Sequence, residues 1–195
     1  MSLLNRILHR MTLVFNKGNQ PQMIQGYNNP ETGYLPEVKI SNTTFIQDRN
    51  KLILGDHVFI GHYNFIESSH GITIGAGSQI TNYISILTHS SHHSIRYYGM
   101  HAAGKGVLKG YHTGSVKIGA FTFVGPHTTI LPGTTIGKGC IVAAYSLLKG
   151  DYPDFSIVEG NPAIVTGDTR KKDEVFLKAN PELIPWYEEW AGKQF

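Results

Sequence analysis

One cysteine, Cys140, stands alone in 195 residues, so no internal disulfide can form. Nothing around it suggests a lowered pKa, and a buried packing thiol is the expected role. No apolar run approaches the roughly 18 residues of a membrane-spanning helix. No secretion signal is expected in the N-terminal apolar stretch, which Asn5, Arg6, His9 and Arg10 interrupt. The expected location is therefore the cytoplasm. Charge is sparse and nearly balanced, with 17 Lys and Arg against 14 Asp and Glu and no dense basic run. That argues against a nucleic-acid partner. The 22 glycines follow no Gly-X-Y period, which excludes collagen. Hydrophobic content of 41% is enough for the core of one domain with terminal additions.

What the chain has is an aliphatic residue every six positions. Ile118, Val124, Ile130, Ile136, Val142 and Leu148 follow one another without a break. Leu54, Ile60, Ile66 and Ile72 form an earlier run, and Ile74, Ile80 and Ile86 another. A glycine often comes next, as at Gly55, Gly61, Gly75, Gly119, Gly125 and Gly137. Period six matches neither the 3.6 of a helix nor the 2 of a half-buried strand. It fits a chain that turns every six residues and stacks on itself, a hexapeptide β-helix. Three faces give a coil of about 18 residues, with coils about 4.8 Å apart. The expected fold class is an all-β solenoid, a triangular prism with aliphatic side chains inside. The phase slips by two residues at Leu52/Leu54, Ile72/Ile74 and Val116/Ile118, marking corners where a coil is longer.

The ladder divides the chain. Residues 1–37 form an N-terminal extension. Its Leu3, Leu4, Ile7, Leu8, Met11, Val14 and Phe15 recur at helical spacing among Arg6, Arg10 and Lys17. Such a basic amphipathic helix can lie on the inner face of a membrane as a peripheral contact; packing on the protein or a partner subunit is the favoured use. Residues 18–37, rich in Gly, Pro and Asn, read as irregular. The β-helix occupies 38–167. Its ladder breaks after Ile86 and resumes at Val116, so 87–115 is a protruding loop, the usual form of a functional insertion. Five of the ten histidines fall there: His89, His92, His93, His101 and His112. Residues 168–195 form a helical tail with an apolar stripe, Val175, Phe176, Ile184, Trp186 and Trp190, broken at Pro181 and Pro185. Docking on the prism or a neighbouring subunit is its expected role.

Three segments in order resemble the hexapeptide-repeat acetyltransferases: the ladder, the stretch Thr88-His89-Ser90-Ser91-His92-His93-Ser94-Ile95-Arg96, and Val116 to Val165 with its closing Gly160-Asn161-Pro162-Ala163. The resemblance is to maltose and galactoside O-acetyltransferases and to enzymes decorating cell-surface polysaccharides, and it covers about 50–168. It implies a left-handed parallel β-helix, acetyl-CoA as co-substrate, no required metal, and a homotrimer with active sites between subunits. His89 matches the family's catalytic histidine. Independently, an imidazole titrating near pH 6.5 suits removal of a hydroxyl proton at neutral pH. A group that orients the ring is expected among Glu67, Ser68, Asn82 and Ser85, with no choice between them. Glu67, Ser68, Asn82, His92 and His112 are the expected acceptor contacts. Coenzyme A is expected beside Gly125, Ala143, Ala144 and Ser146, with Asn161 and Pro162 in the closing element. Lys149 is placed at the phosphates, with Arg170, Lys171 and Lys172 further on. Phe123, also expected to contact coenzyme A, stands where many members carry tryptophan.

The resemblance implies O-acetylation of a sugar hydroxyl on a sugar or lipid-linked glycan, in capsule or O-antigen synthesis. N-acetylation of an amino sugar or antibiotic is the second reading. A non-catalytic assembly subunit is the third. A zinc enzyme of the γ-carbonic anhydrase type needs a histidine five residues after Gly61-His62, where this chain has Glu67.

Overall fold

A computed structural model describes residues 20–193, together with Leu4, Ile7, Leu8, Arg10 and Met11 near the N-terminus. The period-six ladder forms three stacks of parallel strands. Face I holds Gly33–Ser41, Phe59–Ile60, Gln79–Ile80, Phe123–Val124, Ile141–Val142 and Ser156–Gly160. Face II holds Phe45–Gln47, Phe65–Glu67, Ser85–Leu87, Thr129–Ile130 and Leu147–Leu148. Face III holds Leu52–Leu54, Ile72–Ile74, Val116–Ile118, Thr135–Ile136 and Asp151–Tyr152. The chain visits I, II and III in turn, so each coil supplies one strand to each face. The expected parallel β-helix is thereby observed.

Register follows the ladder. Ile60, Ile80, Val124 and Val142 stack on face I, Ile66, Ile86, Ile130 and Leu148 on face II, and Leu54, Ile74, Ile118 and Ile136 on face III. All of these side chains are buried in one core. Burying each stabilises the stack by about 1.5–3 kcal/mol before the entropy of ordering is counted. Cys140 is buried too, and burial pushes its thiol pKa up, as expected of a packing residue.

The three edges differ. From face I to face II the chain always takes six residues, as from Ile60 to Ile66 and from Val124 to Ile130. Tyr63, Tyr83, His127 and Tyr145 turn this corner with left-handed backbone and stack their rings 4.7–5.2 Å apart. We call it the aromatic edge. From face III to face I the count is again six. Here Gly55, Gly75, Gly119 and Gly137 let successive coils touch; a Cβ on Gly75 would run into the backbone nitrogen of Ala120. This is the glycine edge. From face II to face III the count varies: eight from Ile46 to Leu54 and from Ile66 to Ile74, thirty-two from Ile86 to Ile118, six from Ile130 to Ile136, four from Leu148 to Tyr152. All the phase slips read from the sequence lie on this insertion edge.

Two boundaries differ from expectation. Residues 23–37 are not irregular: Met23–Asn29 pairs antiparallel with Gly33–Ser41, and Tyr27 is buried with its hydroxyl donating to the Leu52 carbonyl. The Pro and Gly of 30–33 make the hairpin turn, and the strands close the exposed edge of face I. At the other end Ala163–Asp168 pairs antiparallel with Ser156–Gly160 and closes the same face. Loop 87–115 is also structured. His89–Ser90 pairs antiparallel with His112–Thr113, and helix α1, His92–Tyr98, follows Ser91.

The tail forms α2, Thr169–Ala179, and α3, Ile184–Ala191. The break falls at 180–183; Pro185 sits in the first turn of α3, where a missing N–H costs nothing. Of the apolar stripe, Trp190 docks on the glycine edge, its ring 4.6 Å from Phe121 and 5.9 Å from Phe155. Val175, Phe176 and Trp186 are exposed. Leu4, Ile7, Leu8 and Met11 are helical and exposed. Leu3, Val14 and Phe15 lie outside the described residues.

Candidate active site

The chemistry gathers on the insertion edge. Glu67 ends a face II strand, and alternation along Phe65-Ile66-Glu67 turns its side chain outward, away from the prism core. It is nevertheless only 2% exposed, because Thr88 and His89 of the next coil cover it. Its Oε1 accepts the Ser69 N–H at 2.8 Å, and its Oε2 accepts the Thr88 N–H at 2.9 Å. The Thr88 hydroxyl lies 2.8 Å from Oε2 as a further donor. Burial alone would raise the carboxyl pKa, but these hydrogen bonds from Ser69 and Thr88 outweigh it and hold Glu67 at about 2.

The remaining partner of Oε2 is His89 Nδ1, at 2.8 Å. An ionised carboxylate can only accept, so Nδ1 carries the proton and Nε2 keeps its lone pair free. Of the four residues expected as orienting groups, the structure brings Glu67 to the ring. Ser69 Oγ is a weaker neighbour of Nδ1, at 3.3 Å. Tyr111 stacks over the imidazole with centroids 5.4 Å apart and planes 21° apart, and His70 stands 6.0 Å away on another side. The His89 side chain is 31% exposed, so the ring is fixed yet reachable.

Two clefts lie near the His89–Ser90 ribbon. One, about 460 Å³, is lined by His70, Lys105, Gly106, Val107, Leu108, Tyr111 and Thr113. The other, about 370 Å³, is lined by Ser90, His92, His93, His112, Thr113, Leu131, Pro132 and Lys149. His92 and His112 gather on the Ser90 side of the short ribbon, the face opposite to His89, and Lys149 shares their cleft. Desolvation and then the neighbouring His92, His112, Arg96 and Lys149 keep the His93 pKa below the usual imidazole range.

Other expected residues lie elsewhere. Ser68 is fully buried and its hydroxyl donates to the carbonyls of Gln47 and Asp48. Asn82 is on the aromatic edge, where its Oδ1 accepts the His62 N–H at 2.7 Å. Gly125, Ala143, Ala144 and Ser146 line up on that same edge. Ser146 is buried, its hydroxyl donating to the Ala143 carbonyl and accepting the Gly160 N–H, which ties the Asn161-Pro162 turn to this edge. Phe123 is on the outer surface of face I, in a groove with Gln79 and Trp190. Arg170 is paired with Asp168 at 2.6 Å. Sequence reasoning missed Ser69, His70, Thr88 and Tyr111. The first three were within reach, since the 20-residue coil sets 67–70 beneath 87–90; Tyr111 carried no pattern.

Residues 115–150 match the family described as bacterial transferase hexapeptide (six repeats). A probable acetyltransferase of Mycobacterium tuberculosis is 28% identical over 159 residues, covering 78% of this chain and 51% of the relative. A putative lipopolysaccharide biosynthesis O-acetyl transferase of Escherichia coli is 27% identical over 133 residues, 67% of each chain. The chain thus spans about half the length of the first of these relatives. Among solved structures, a hexapeptide-repeat containing acetyltransferase of Vibrio cholerae aligns with a TM-score of 0.54 at 26% identity, covering 65% of this chain and 71% of the other. A galactoside acetyltransferase in complex with coenzyme A shares the fold, with a TM-score of 0.58 at 21% identity over 67% of this chain and 62% of the other. The chain carries the hexapeptide repeat of bacterial transferases and resembles the hexapeptide-repeat acetyltransferases in both sequence and fold.

Proposed function

We propose that the protein is an acetyl-CoA-dependent O-acetyltransferase acting on a sugar hydroxyl in surface-polysaccharide biosynthesis. The observation that carries this reading is the Glu67–His89 dyad, which leaves Nε2 free next to Tyr111 and His70, two residues that line a cleft. The acceptor hydroxyl gives its proton to Nε2 as its oxygen attacks the thioester carbonyl. Ionised Glu67 stabilises the imidazolium that forms. The tetrahedral intermediate collapses by breaking the carbon–sulfur bond, and the imidazolium returns the proton to the departing coenzyme A thiolate. No covalent enzyme intermediate is needed. The relative named for lipopolysaccharide biosynthesis supports a glycan acceptor.

Coenzyme A takes the aromatic edge near Gly125, Ala143, Ala144 and the Asn161-Pro162 turn. That edge and the insertion edge bound opposite sides of face II, so the dyad of one chain and the coenzyme A residues of the same chain do not share a cleft. A second copy setting its aromatic edge against the dyad would complete the site, which supports a homotrimer with sites between subunits. Among the described residues no helix is long and apolar enough to cross a membrane. The exposed Leu4, Ile7 and Met11 support peripheral docking, on a neighbouring copy or on the inner leaflet beside a lipid-linked acceptor.

The test is acetyl-CoA-dependent thiol release with a panel of sugar and amino-sugar acceptors. His89→Ala should lower turnover by about 10²–10⁴-fold while coenzyme A still binds. Transfer to amines alone would replace the O-acetyl reading with N-acetylation. Failure to bind coenzyme A would leave a structural subunit.

A further inference from the structure

We infer that His92, His93 and His112 form a binding site for a late first-row divalent metal, zinc foremost, at the root of the inserted segment. The inference stands apart from the acetyltransferase reading and assigns the metal no part in acyl transfer.

One ligating nitrogen from each of the three rings lies within 4.8 Å of the others. A tetrahedral zinc with bonds of 2.0–2.1 Å needs its nitrogens about 3.3 Å apart, so no pair need change its separation by more than about 1.5 Å, with ring rotations that aim the lone pairs inward. The rings are already in contact, His92 stacked on His112 at 5.0 Å and His93 edge-on to His112 at 4.8 Å, and rotation of the exposed His92 ring out of the stack would bring its in-plane lone pair toward the other two. His93 Nδ1 and His112 Nε2 lie 2.7 Å apart. One of these nitrogens must therefore be an unprotonated acceptor, the form a metal takes. A metal frees both by moving the shared proton to the far nitrogen of its ring.

His92 is oriented as well. Ser90 Oγ sits 2.7 Å from its Nδ1, so a proton held there leaves Nε2 for coordination. That is the outer hydrogen bond metal-bound histidines usually make. Three imidazoles without a carboxylate select zinc, nickel or copper over magnesium or calcium. The cleft in front leaves room for a fourth ligand such as water. Lys149 lines the same cleft, and its ammonium works against a cation. His92 and His93 open α1, whereas His112 pairs with Ser90 across the short ribbon. Bound metal would thus tie the two ends of the insertion together.

The experiment is titration of the metal-free full chain with Co²⁺, followed by displacement with Zn²⁺. One equivalent per chain is expected, with the intense visible bands of four-coordinate cobalt and a rise in melting temperature on adding zinc. His93→Ala and His112→Asn should each weaken binding more than about a hundredfold and Ser90→Ala about tenfold. Lys149→Met should tighten it several-fold, and Glu67→Gln should leave it unchanged. Circular dichroism of each variant separates lost ligation from lost folding, and the Lys149 gain needs a folded protein. Absence of saturable binding, binding that survives both histidine substitutions, or binding lost in Glu67→Gln would each overturn the assignment. The last would move the metal to the neighbouring Glu67, His70 and His89 group.

Discussion

The aromatic and glycine edges hold six residues per corner, whereas the insertion edge holds from four to thirty-two, and the reactive groups gather on the insertion edge. The difference has a physical cause. At the two regular edges each corner rests on the corner of the next coil, through stacked rings at one and touching backbone at the other. A change of length there would unseat both neighbours. At the insertion edge corners of unequal length meet through side-chain hydrogen bonds, such as Ser68 to the Gln47 carbonyl and Thr88 to Glu67, so length can vary and a buried carboxylate, a histidine and a loop can be added.

The largest effect should come from changing length on one edge or the other. Replacing 91–111 by Asn-Gly would join Ser90 to His112 through a two-residue hairpin turn suited to the existing antiparallel pair. Transfer activity should fall below detection while the prism melts within about 5 °C of the parent. Inserting two residues between Gly125 and Pro126 should instead cost more than about 3 kcal/mol or prevent soluble expression, read by denaturant unfolding. If the insertion is tolerated, the contrast between edges is lost.

Single glycines sharpen the same contrast. Gly75→Ala should destabilise by about 3 kcal/mol, because the added Cβ meets the backbone of Ala120, which cannot move without shifting a coil. Gly133→Ala on the insertion edge meets nothing within 4 Å and bears only the strain of its φ of +80°. Its cost should be about 1 kcal/mol. Equal midpoints for the two variants in urea would contradict the difference.

Glu67→Gln tests what the insertion edge gained. The amide cannot accept every donor that the carboxylate accepts, and a tautomer shift at His89 follows. Turnover should drop about 10²–10⁴-fold and stability by about 2 kcal/mol. The carboxyl pKa is depressed to about 2 when folded, so its contribution is complete above the unfolded value near 4.5 and fades as pH falls toward 2. Melting curves of parent and variant should therefore diverge above about pH 4.5 and converge toward pH 2. The smallest effect is expected on the aromatic edge: Tyr83→Ala removes one exposed ring between Tyr63 and His127 and should cost about 1 kcal/mol in the same unfolding assay.

Much of this was legible in the sequence. The inward aliphatics at six-residue intervals give the coils, the faces and the register, because only that period keeps every sixth side chain inside. The slips at Leu52/Leu54 and Ile72/Ile74 mark the insertion edge before any coordinates. The position of His89 was legible for the same reason, since it follows a ladder strand. Its partner was not chosen, although counting one 20-residue coil back from Leu87 lands on Glu67. The hairpin escaped because its residues before Val38 are mostly exposed and carry no ladder. Tyr111 escaped because it reaches His89 through the fold of the insertion, which has no repeat to count. The coenzyme A residues read from the resemblance fall on a different edge from the dyad, a separation that a one-dimensional reading cannot show.

The column of Tyr63, Tyr83, His127 and Tyr145 has an optical consequence. Each ring comes from a different coil, and neighbours lie 4.7–5.2 Å apart with planes 2–15° apart. The near-ultraviolet transition dipoles of the adjacent Tyr63 and Tyr83, held so close and so nearly parallel, couple only while their two coils stay stacked. The near-ultraviolet dichroism of the tyrosines is then a built-in gauge of coil stacking, separate from the indole signals of Trp186 and Trp190 in the tail.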